Sequence, residues 1–221
     1  MTSKLASVSA ISDVLALIGK RGWLSPPLTS IVAAPQPISS RALTFRLEMG
    51  DEGPGLTPLY EALSNNLSTR SIVLDAQRID GAVWGEILAS AGLNANISAA
   101  LIFGSARDRT AVQSVRIPTY CSQEIVVGPA GRAHVREVGG IITINAPASV
   151  NINQDDIIVC DESGCVVIPQ IIAELVLAAA AQYEKAESAT VEALRNHEPM
   201  TTAYIHKKTV VERIVSELKK P

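Results

Sequence analysis

One stretch of the chain, Val83–Arg109, constrains the fold more than any other. An apolar run, Ser71–Asp75, precedes this stretch, a second one, Ala99–Phe103, lies inside it, and a helical apolar spacing joins the two. A strand, a helix and a strand in this order predict a βαβ unit with parallel neighbouring strands. Because ligands of open α/β sheets bind beyond the carboxyl ends of the strands, we expect Asp75 and Arg107–Asp108 to lie together at that end.

The rest of the chain predicts an α/β protein with a mixed sheet. The first half carries crossover helices and the second half carries short strands at close spacing, which favours a layered β/β/α arrangement over a regular doubly wound sheet. The other predicted helices cover 10–20 (with Ser9 as N-cap), 57–66, 170–196 and 209–219, and the other predicted strands cover 31–34, 42–48, 117–120, 124–127, 141–145, 157–160 and 165–168. We expect one domain over residues 1–199 and a helical tail, 200–221, which either packs on a neighbouring subunit or frays.

Charge and composition narrow the range of partners. Among the 221 residues the net charge is −3, and the longest basic runs are the pairs Lys207–Lys208 and Lys219–Lys220, so we expect no direct binding of nucleic acid. No apolar run reaches the roughly 18 residues that a membrane helix needs, and the first residues carry no secretory signal. Membrane association is therefore not expected.

The three cysteines, Cys121, Cys160 and Cys165, are odd in number and form no Cys-x-x-Cys pair. This pattern indicates neither a disulfide framework nor a zinc site. We expect three buried thiols in a reducing cytoplasm.

The start of the central helix carries the first candidate binding groups. Gly85 lacks a Cβ atom, so a ligand can approach the backbone closely. If the helix begins near Gly85, the N–H groups of residues 85–88 have no intrahelical partner and can bind a small carboxylate. The alternative is a plain amphipathic helix with Ile87 and Leu88 in the core. Both hold together if the side chains pack while the main-chain amides bind.

The second candidate is the pair Arg107–Asp108. An arginine after a strand can hold a carboxylate or an enolate oxygen in a bidentate manner. The adjacent aspartate offers an oxygen ligand to a hard cation such as Mg²⁺, which needs only one or two carboxylates. Glu86, expected nearby, is a candidate anchor for a metal-bound water. The alternative is a surface ion pair that contributes little.

The motif that begins at Gly85-Glu86 and, after a gap of twenty residues, continues with Arg107–Asp108 resembles the RraA-like family. This family comprises 4-hydroxy-4-methyl-2-oxoglutarate aldolases and regulators of ribonuclease activity A. The loop at 128–132 and the segment 154–169 agree with it, and the resemblance covers roughly residues 9–195. It implies a swivelling-type β/β/α fold, assembled as a homotrimer or hexamer with sites between subunits.

The resemblance also implies a metal-dependent class II aldolase. Such an enzyme cleaves a 4-hydroxy-2-oxo acid to pyruvate and a second keto acid, and it decarboxylates oxaloacetate as a side activity. By resemblance, Gly85, Glu86, Ile87 and Leu88 line the pyruvyl group, the later ones through backbone N–H groups. By the same resemblance, Arg107 binds substrate and stabilises the oxyanion, and Asp108 holds Mg²⁺ or Mn²⁺. A metal-bound water held by Glu86 is our candidate for the base that accepts the hydroxyl proton.

A different function remains open at this point, namely a non-catalytic protein that binds and regulates a ribonuclease. Regulators of that kind lack the aspartate of the Arg-Asp pair, so Asp108 favours the enzyme. The chain departs from the family at 76–80, where Ala-Gln-Arg-Ile-Asp replaces a glycine-rich loop. Arg78 in this loop either contacts a second substrate carboxylate or is simply solvated. An acidic residue that family aldolases take from the adjacent subunit has no identified counterpart.

Three other observations complete the candidate set. Trp84 is either a wall of the binding site or a core residue. The histidines, His134, His197 and His206, stand in no metal-ligand spacing and are interpreted as surface or structural residues. No phosphate-binding loop and no Gly-x-Ser-x-Gly elbow occurs.

Overall fold

The computed structural model describes residues 4–24, 27–50, 52–145 and 149–218. The helices in these residues are α1 (Val8–Leu17), α2 (Thr57–Leu63), α3 (Glu86–Asn94), α4 (Arg109–Val115), α5 (Ala173–Arg195), α6 (Met200–Ala203) and α7 (Ile205–Leu218). The strands are β1 (Thr29–Val32), β2 (Ile38–Met49), β3 (Arg70–Asp75), β4 (Ala82–Trp84), β5 (Ala99–Ala106), β6 (Thr119–Glu124), β7 (Ala133–Val138), β8 (Ile142–Ile144), β9 (Val150–Ile152), β10 (Ile157–Asp161) and β11 (Gly164–Ile168).

Nine of these strands form one mixed sheet. Its order is β1-β6-β5-β3-β2-β10-β11, with β4 paired to β5 and β7 paired to β2. The central strands β2, β3, β5 and β6 run parallel, whereas β1, β7, β10 and β11 are antiparallel to their neighbours. β8 and β9 form a separate antiparallel pair. The predicted α/β fold with a mixed sheet is therefore confirmed.

The layers follow from the alternation of side chains along the buried strands. In β3, Ile72 and Leu74 belong to the same apolar cluster as residues of α2, α3 and α4. Val73, between them, belongs to the cluster that includes Ile142 and Ile152 of the β8–β9 pair. Since successive side chains of a strand point to opposite faces, helices cover one face of the large sheet and the small sheet covers the other. This is the expected β/β/α layering.

The central βαβ unit is confirmed. β3 and β5 are parallel neighbours in a register that pairs Ser71 with Ala99 and Asp75 with Phe103, and α3 lies between them in the chain. All eight residues of β5 are buried, as expected of a strand that is covered on both faces.

Several predicted boundaries are wrong. The first helix begins at Val8, not at residue 10, because Ser7 rather than Ser9 is its N-cap and accepts a hydrogen bond from the N–H of Ala10. Residues 117–120 and 124–127 do not form two strands. A single strand, β6, pairs with β5 as far as Glu124, and the chain then leaves the sheet. The long helix starts with a 3₁₀ turn, Gln170–Ile172.

Three strands and one helix were not predicted: β4, β7, β9 and α4. β4 and β9 have three residues each, too few to show a periodic pattern. β9 pairs with β8 in a register that joins Ile152 to Ile142. β7 pairs with β2, about ninety residues earlier in the chain, and a local pattern does not reveal such pairing.

The C-terminal tail is helical, and α7 packs against α5 and α1 of the same chain. Ile214 of α7 is only 2% exposed, and Lys207 donates a 2.7 Å hydrogen bond to Glu187 of α5. α7 starts earlier than predicted, and the predicted last residue, Lys219, lies outside the described residues. The domain boundary at 199 and a subunit interface at the tail stay predictions.

The helices that the structure describes include none with both the length and the apolar character needed to cross a membrane.

Candidate functional site

A cavity of about 460 Å³ opens where α3 begins and where β4 and β5 end. All of the predicted site residues line it: Gly85, Glu86, Ile87, Leu88, Arg107 and Asp108. Its volume lies in the range typical of small-molecule sites. The structure thus brings the start of the helix and the Arg-Asp pair, which are about twenty residues apart in the chain, to one place.

The backbone at the start of α3 has the form that the sequence predicts. Gly85 is the N-cap, and the first bond of the helix runs from the N–H of Ala89 to the carbonyl of Gly85 at 2.9 Å. The N–H groups of Glu86, Ile87 and Leu88 therefore have no acceptor within the helix. They are the positive end of the helix dipole, where a small anion is favoured.

The protein itself supplies one anion to this helix start. The N–H of Glu86 donates a long hydrogen bond of 3.4 Å to Oδ2 of Asp108. A Cβ atom on Gly85 would lie only 2.7 Å from the same oxygen. We had expected glycine here so that a ligand could approach the backbone. The structure shows that Asp108 makes the close approach, which leaves the amides of Ile87 and Leu88 for a ligand.

Arg107 makes one backbone contact and one side-chain contact at the edge of the cavity. Its backbone N–H donates to the carbonyl of Trp84 at 2.9 Å, which extends the parallel pairing of β4 and β5. Its Nε atom lies 3.5 Å from Oδ2 of Asp108, and the two side chains are 42% and 44% exposed. Because this pair is long and solvated, it stabilises the fold little, and the guanidinium keeps donors for a ligand.

A glycine in the loop that follows β6 makes room for that guanidinium. A Cβ on Gly128 would lie 3.2 Å from Nη1 of Arg107. Gly81, at φ +148°, faces Pro129 of the same loop, where a Cβ would lie 2.5 Å from its backbone. The loop at 128–132 carries part of the family resemblance, but its contact with Arg107 does not follow from the sequence. The signal is nonlocal, since only the fold brings Gly81, Pro129 and Arg107 together.

Asp108 has an unusual backbone conformation. Its φ and ψ angles of 60° and 39° lie in the left-handed region, which costs a residue other than glycine free energy. It stands at the N-cap of α4, yet its side chain makes no capping hydrogen bond. The carboxylate faces α3 instead. Such strain is concentrated at functional sites, where the surrounding structure maintains it.

α4 is anchored by an ion pair beside the site. Nε of Arg109 donates to both carboxylate oxygens of Glu124, at 3.0 and 2.9 Å. This hydrogen bonding is the main reason that the pKa of Arg109 lies above its ordinary value. The pair ties the first residue of α4 to the last residue of β6 and so holds the turn that carries Asp108.

Asp75 does not join this group, contrary to expectation. It lines a second cavity of about 440 Å³ together with Arg46, Gln77 and Arg78. Gln77 explains the separation, because its amide nitrogen donates to Asp75 at 2.9 Å and to the carbonyl of Thr143 at 3.1 Å. The loop at 76–80 is thus directed toward β8. Arg78 is exposed and does not line the first cavity.

The residues present fit a hard divalent cation only in part. Glu86 and Asp108 offer two carboxylates on the same cavity, and Mg²⁺ characteristically keeps several waters and takes one or two carboxylates. Within the described ranges, no group of three or more His, Cys, Asp or Glu side chains could hold a metal ion. A zinc site, which takes three or four protein ligands, is therefore not supported by these residues.

The other candidates have structural positions. His134 is 9% exposed and lies 3.0 Å from Oε1 of Glu48. Trp84 lines the cavity and is also a core residue at 1% exposure, and its Nε1 has no hydrogen-bond partner among the described atoms. His197 and His206 are exposed. The three cysteines are free and buried, as expected.

Comparison with known proteins gives a consistent result. The family model described as RraA-like: Aldolase/RraA matches residues 8–167. A solved structure of an uncharacterized protein from Pseudomonas syringae pv. tomato DC3000 superposes with a TM-score of 0.75 at 26% identity, covering 90% of this chain and 92% of that one. RraAS2 of Streptomyces coelicolor, described as an unusual member of the RNase ES inhibitor RraA family, superposes at 0.70 with 19% identity, covering 82% and 90%. This second likeness concerns the fold alone.

A curated relative is Protein DlpA of Legionella pneumophila, which is 32% identical over 99 residues. The aligned stretch covers 44% of this chain but only 16% of DlpA. This chain therefore corresponds to a small part of that protein.

Proposed function

This chain belongs to the RraA-like family, and we propose that within the family it is a divalent-metal-dependent aldolase that cleaves a 4-hydroxy-2-oxo acid to pyruvate and a second carbonyl compound. Decarboxylation of oxaloacetate is the proposed side activity. The observation that carries the proposal is the convergence of three groups on one cavity: the free amides that begin α3, the guanidinium of Arg107 and the carboxylate of Asp108.

The two reactions share one requirement. In the retro-aldol reaction the C3–C4 bond breaks, the hydroxyl proton on C4 leaves, and the electron pair of the bond moves into the pyruvate enolate. In oxaloacetate the same bond breaks with loss of CO₂. Both reactions place negative charge on the oxygen of C2, so a catalyst must stabilise that oxygen.

The proposed roles of the residues follow from their positions. The N–H groups of Ile87 and Leu88 bind the substrate carboxylate, and Arg107 donates hydrogen bonds to the C2 oxygen as it becomes negative. Glu86, whose carboxylate belongs to the exposed first residue of α3, positions the water that accepts the hydroxyl proton. Asp108 is the proposed metal-binding residue. Lewis-acid stabilisation of the C2 oxygen is what Mg²⁺ or Mn²⁺ supplies when bound.

The assembly is part of the proposal. One chain offers two carboxylates on an open cavity, and the resemblance implies a homotrimer or hexamer with sites between subunits. We propose that the neighbouring subunit completes the site. The test is the oligomeric mass in solution together with metal affinity, because a monomer with full affinity would not need a neighbour.

The rival function is a ribonuclease regulator, because the RraA-like family includes such proteins as well as aldolases. The discriminating residue is Asp108, which a purely protein-binding regulator does not need. The assay is pyruvate release from oxaloacetate and from 4-hydroxy-4-methyl-2-oxoglutarate, with and without Mg²⁺, for the parent protein and for Asp108→Asn.

We expect metal-dependent release that Asp108→Asn removes, while Glu198→Gln, an exposed charge loss in the turn before α6, has no effect. Equal turnover by Asp108→Asn would reject the assigned metal ligand. No turnover of any oxo acid, combined with inhibition of a ribonuclease E-type enzyme, would establish the regulator instead.

A further inference from the structure

Two of the three cysteines face each other in the hairpin formed by β10 and β11. The register of this antiparallel pair places Cys160 directly opposite Cys165. Their sulfur atoms are 3.1 Å apart, and the Cys160 thiol donates a hydrogen bond to Sγ of Cys165. Packing as small apolar side chains explains why both residues are buried, but it does not require that their sulfurs point at each other.

The backbone at this pair suits a disulfide. Directly opposed residues of an antiparallel ladder have Cα atoms about 4.5 or 5.5 Å apart, and disulfides usually span about 4.4–6.8 Å between Cα atoms. A sulfur–sulfur bond is about 2.05 Å long, so the two sulfurs must approach each other by about 1 Å. Small rotations of the two side chains can supply this approach while the strands keep their register.

Cys121 does not belong to this pair. Cys160 and Cys165 lie in the apolar cluster on the face of the sheet that β8 and β9 cover, whereas Cys121 lies in the cluster on the helical face. The sheet therefore separates Cys121 from the other two thiols. Neither β10 nor β11 contributes to the described lining of the cavity at the start of α3, so the thiol pair is independent of the proposed aldolase site.

The two paired thiols differ in accessibility. Cys165 is 7% exposed and lines a cavity of about 280 Å³ together with Ser9, Asp13 and Trp23, whereas Cys160 is only 1% exposed. A small oxidant therefore meets Cys165 first. Burial raises the pKa of the Cys165 thiol, so the reactive thiolate is scarce near neutral pH and the first step of any oxidation is slow.

We propose that Cys160 and Cys165 are a reversible oxidation site, which a hydroperoxide converts to a disulfide in the folded protein. The Cys165 thiolate attacks one oxygen of H₂O₂, the O–O bond breaks, and the products are a sulfenic acid and water. The sulfur of Cys160 then attacks the sulfur of Cys165, and the S–O bond breaks with loss of a second water that takes the Cys160 proton. Two thiols and one H₂O₂ give one disulfide and two waters, and the peroxide receives the two electrons.

The disulfide closes the end of a hairpin to which other elements are attached. Asp161, next to Cys160, accepts a 2.8 Å hydrogen bond from the N–H of Val8 with its carboxylate and another, also 2.8 Å, from the hydroxyl of Tyr120 with its backbone carbonyl. These bonds connect the hairpin to the start of α1 and to β6. Because the cross-link restricts the unfolded chain, we expect oxidation to raise the melting temperature by about 5 °C.

The test exposes the native full chain to H₂O₂, blocks the remaining thiols with N-ethylmaleimide in denaturant and measures the mass. We expect a loss of two hydrogens, one blocked thiol, and full reversal by dithiothreitol. Cleavage after Glu162, which lies between the two cysteines, should leave two fragments that the disulfide joins. Cys121→Ala should lose two hydrogens in the same way, whereas Cys160→Ala should gain oxygen at Cys165 instead.

Three blocked thiols after prolonged exposure to peroxide would overturn the proposal, and so would a disulfide that forms only after unfolding. Oxygen gain by the parent protein without a disulfide would also overturn it, because the two sulfurs would then not be placed to react. A melting temperature that does not rise on oxidation would show that the bond strains the hairpin. That result would contradict the fit argued from the backbone.

Discussion

The Cα of Gly85 faces the carboxylate of Asp108 so closely that a methyl group on Gly85 would lie 2.7 Å from Oδ2. The same methyl would lie 3.2 Å from Cγ of Arg107. Gly85 has an extended backbone, φ −167°, which any residue can adopt. The requirement for glycine is therefore one of space, and it comes from the two side chains proposed for metal and substrate binding.

Gly85→Ala is expected to displace the side chains of Asp108 and Arg107. We expect kcat/KM to fall by about 10²-fold, because a displacement of catalytic groups by about 1 Å can have an effect of that size. The measurement is steady-state pyruvate release together with thermal unfolding. The control is Gly19→Ala. Gly19 is at φ +72° with nothing within 4 Å, so this variant loses about 1–2 kcal/mol of stability from backbone strain and keeps its activity. A fully active Gly85→Ala would contradict the assigned geometry.

Arg107→Lys tests the guanidinium rather than the charge. Lysine retains the positive charge but lacks the planar fork that donates two hydrogen bonds at once. We expect kcat to fall by roughly 10²-fold, with a smaller change in KM, because the lost interaction strengthens as the C2 oxygen becomes negative. Arg136→Lys is the matched control at a side chain that is 67% exposed. A change confined to KM would assign Arg107 to ground-state binding alone.

Local sequence patterns were sufficient for the parts of the site that lie next to a strongly periodic element. The βαβ unit follows from two apolar runs and a helical spacing, and it places Gly85 at the start of a helix and Arg107 after a strand. The proximity of these residues then follows from the topology of parallel sheets. Asp75, which ends the parallel strand β3, lies elsewhere, because Gln77 bonds both its carboxylate and the carbonyl of Thr143 in β8.

The unpredicted parts depend on contacts between distant segments. α4 has only seven residues, and Asp108 before it, although a residue type common at helix starts, has a left-handed backbone and makes no capping hydrogen bond. β7 pairs with the far end of β2, about ninety residues earlier in the chain. The role of Gly128 depends on the position of the Arg107 side chain. None of these relationships leaves a pattern within a single window of sequence.

The buried thiols are expected to resist modification. Burial raises the pKa of Cys121 to about 11, and burial is also the largest cause of the raised pKa of Cys165. Because the thiolate is the reacting species, we expect slow labelling of the native protein by a disulfide reagent at about pH 8. In denaturant, all three cysteines should react rapidly. Rapid labelling of even one thiol in the native state would indicate local opening of the sheet.

The contact of the C-terminal tail with α5 predicts a dependence of stability on alkaline pH. Nζ of Lys207 lies 4.7 Å from the centre of the Tyr183 ring, and Tyr183 donates a 2.7 Å hydrogen bond to Asp13. Burial raises the pKa of Tyr183 from 10.0 to about 12. Burial alone would lower the pKa of Lys207, but its interactions with Glu187 and Tyr183 outweigh this and raise it above the ordinary value.

The pKa values of Tyr183 and Lys207 are both raised in the folded state. The folded state retains these two protons at a pH where the unfolded chain has begun to lose them, so the stabilisation is complete below about pH 10 and falls as the pH rises toward 12. Lys207→Met is expected to cost about 1 kcal/mol at neutral pH, as for a partly exposed ion pair, and to reduce the alkaline loss. Urea unfolding over this range measures both effects. Lys208→Met, at a neighbouring side chain that is 67% exposed, is the matched control. An alkaline loss of equal size in the two variants would show that Lys207 is not its source.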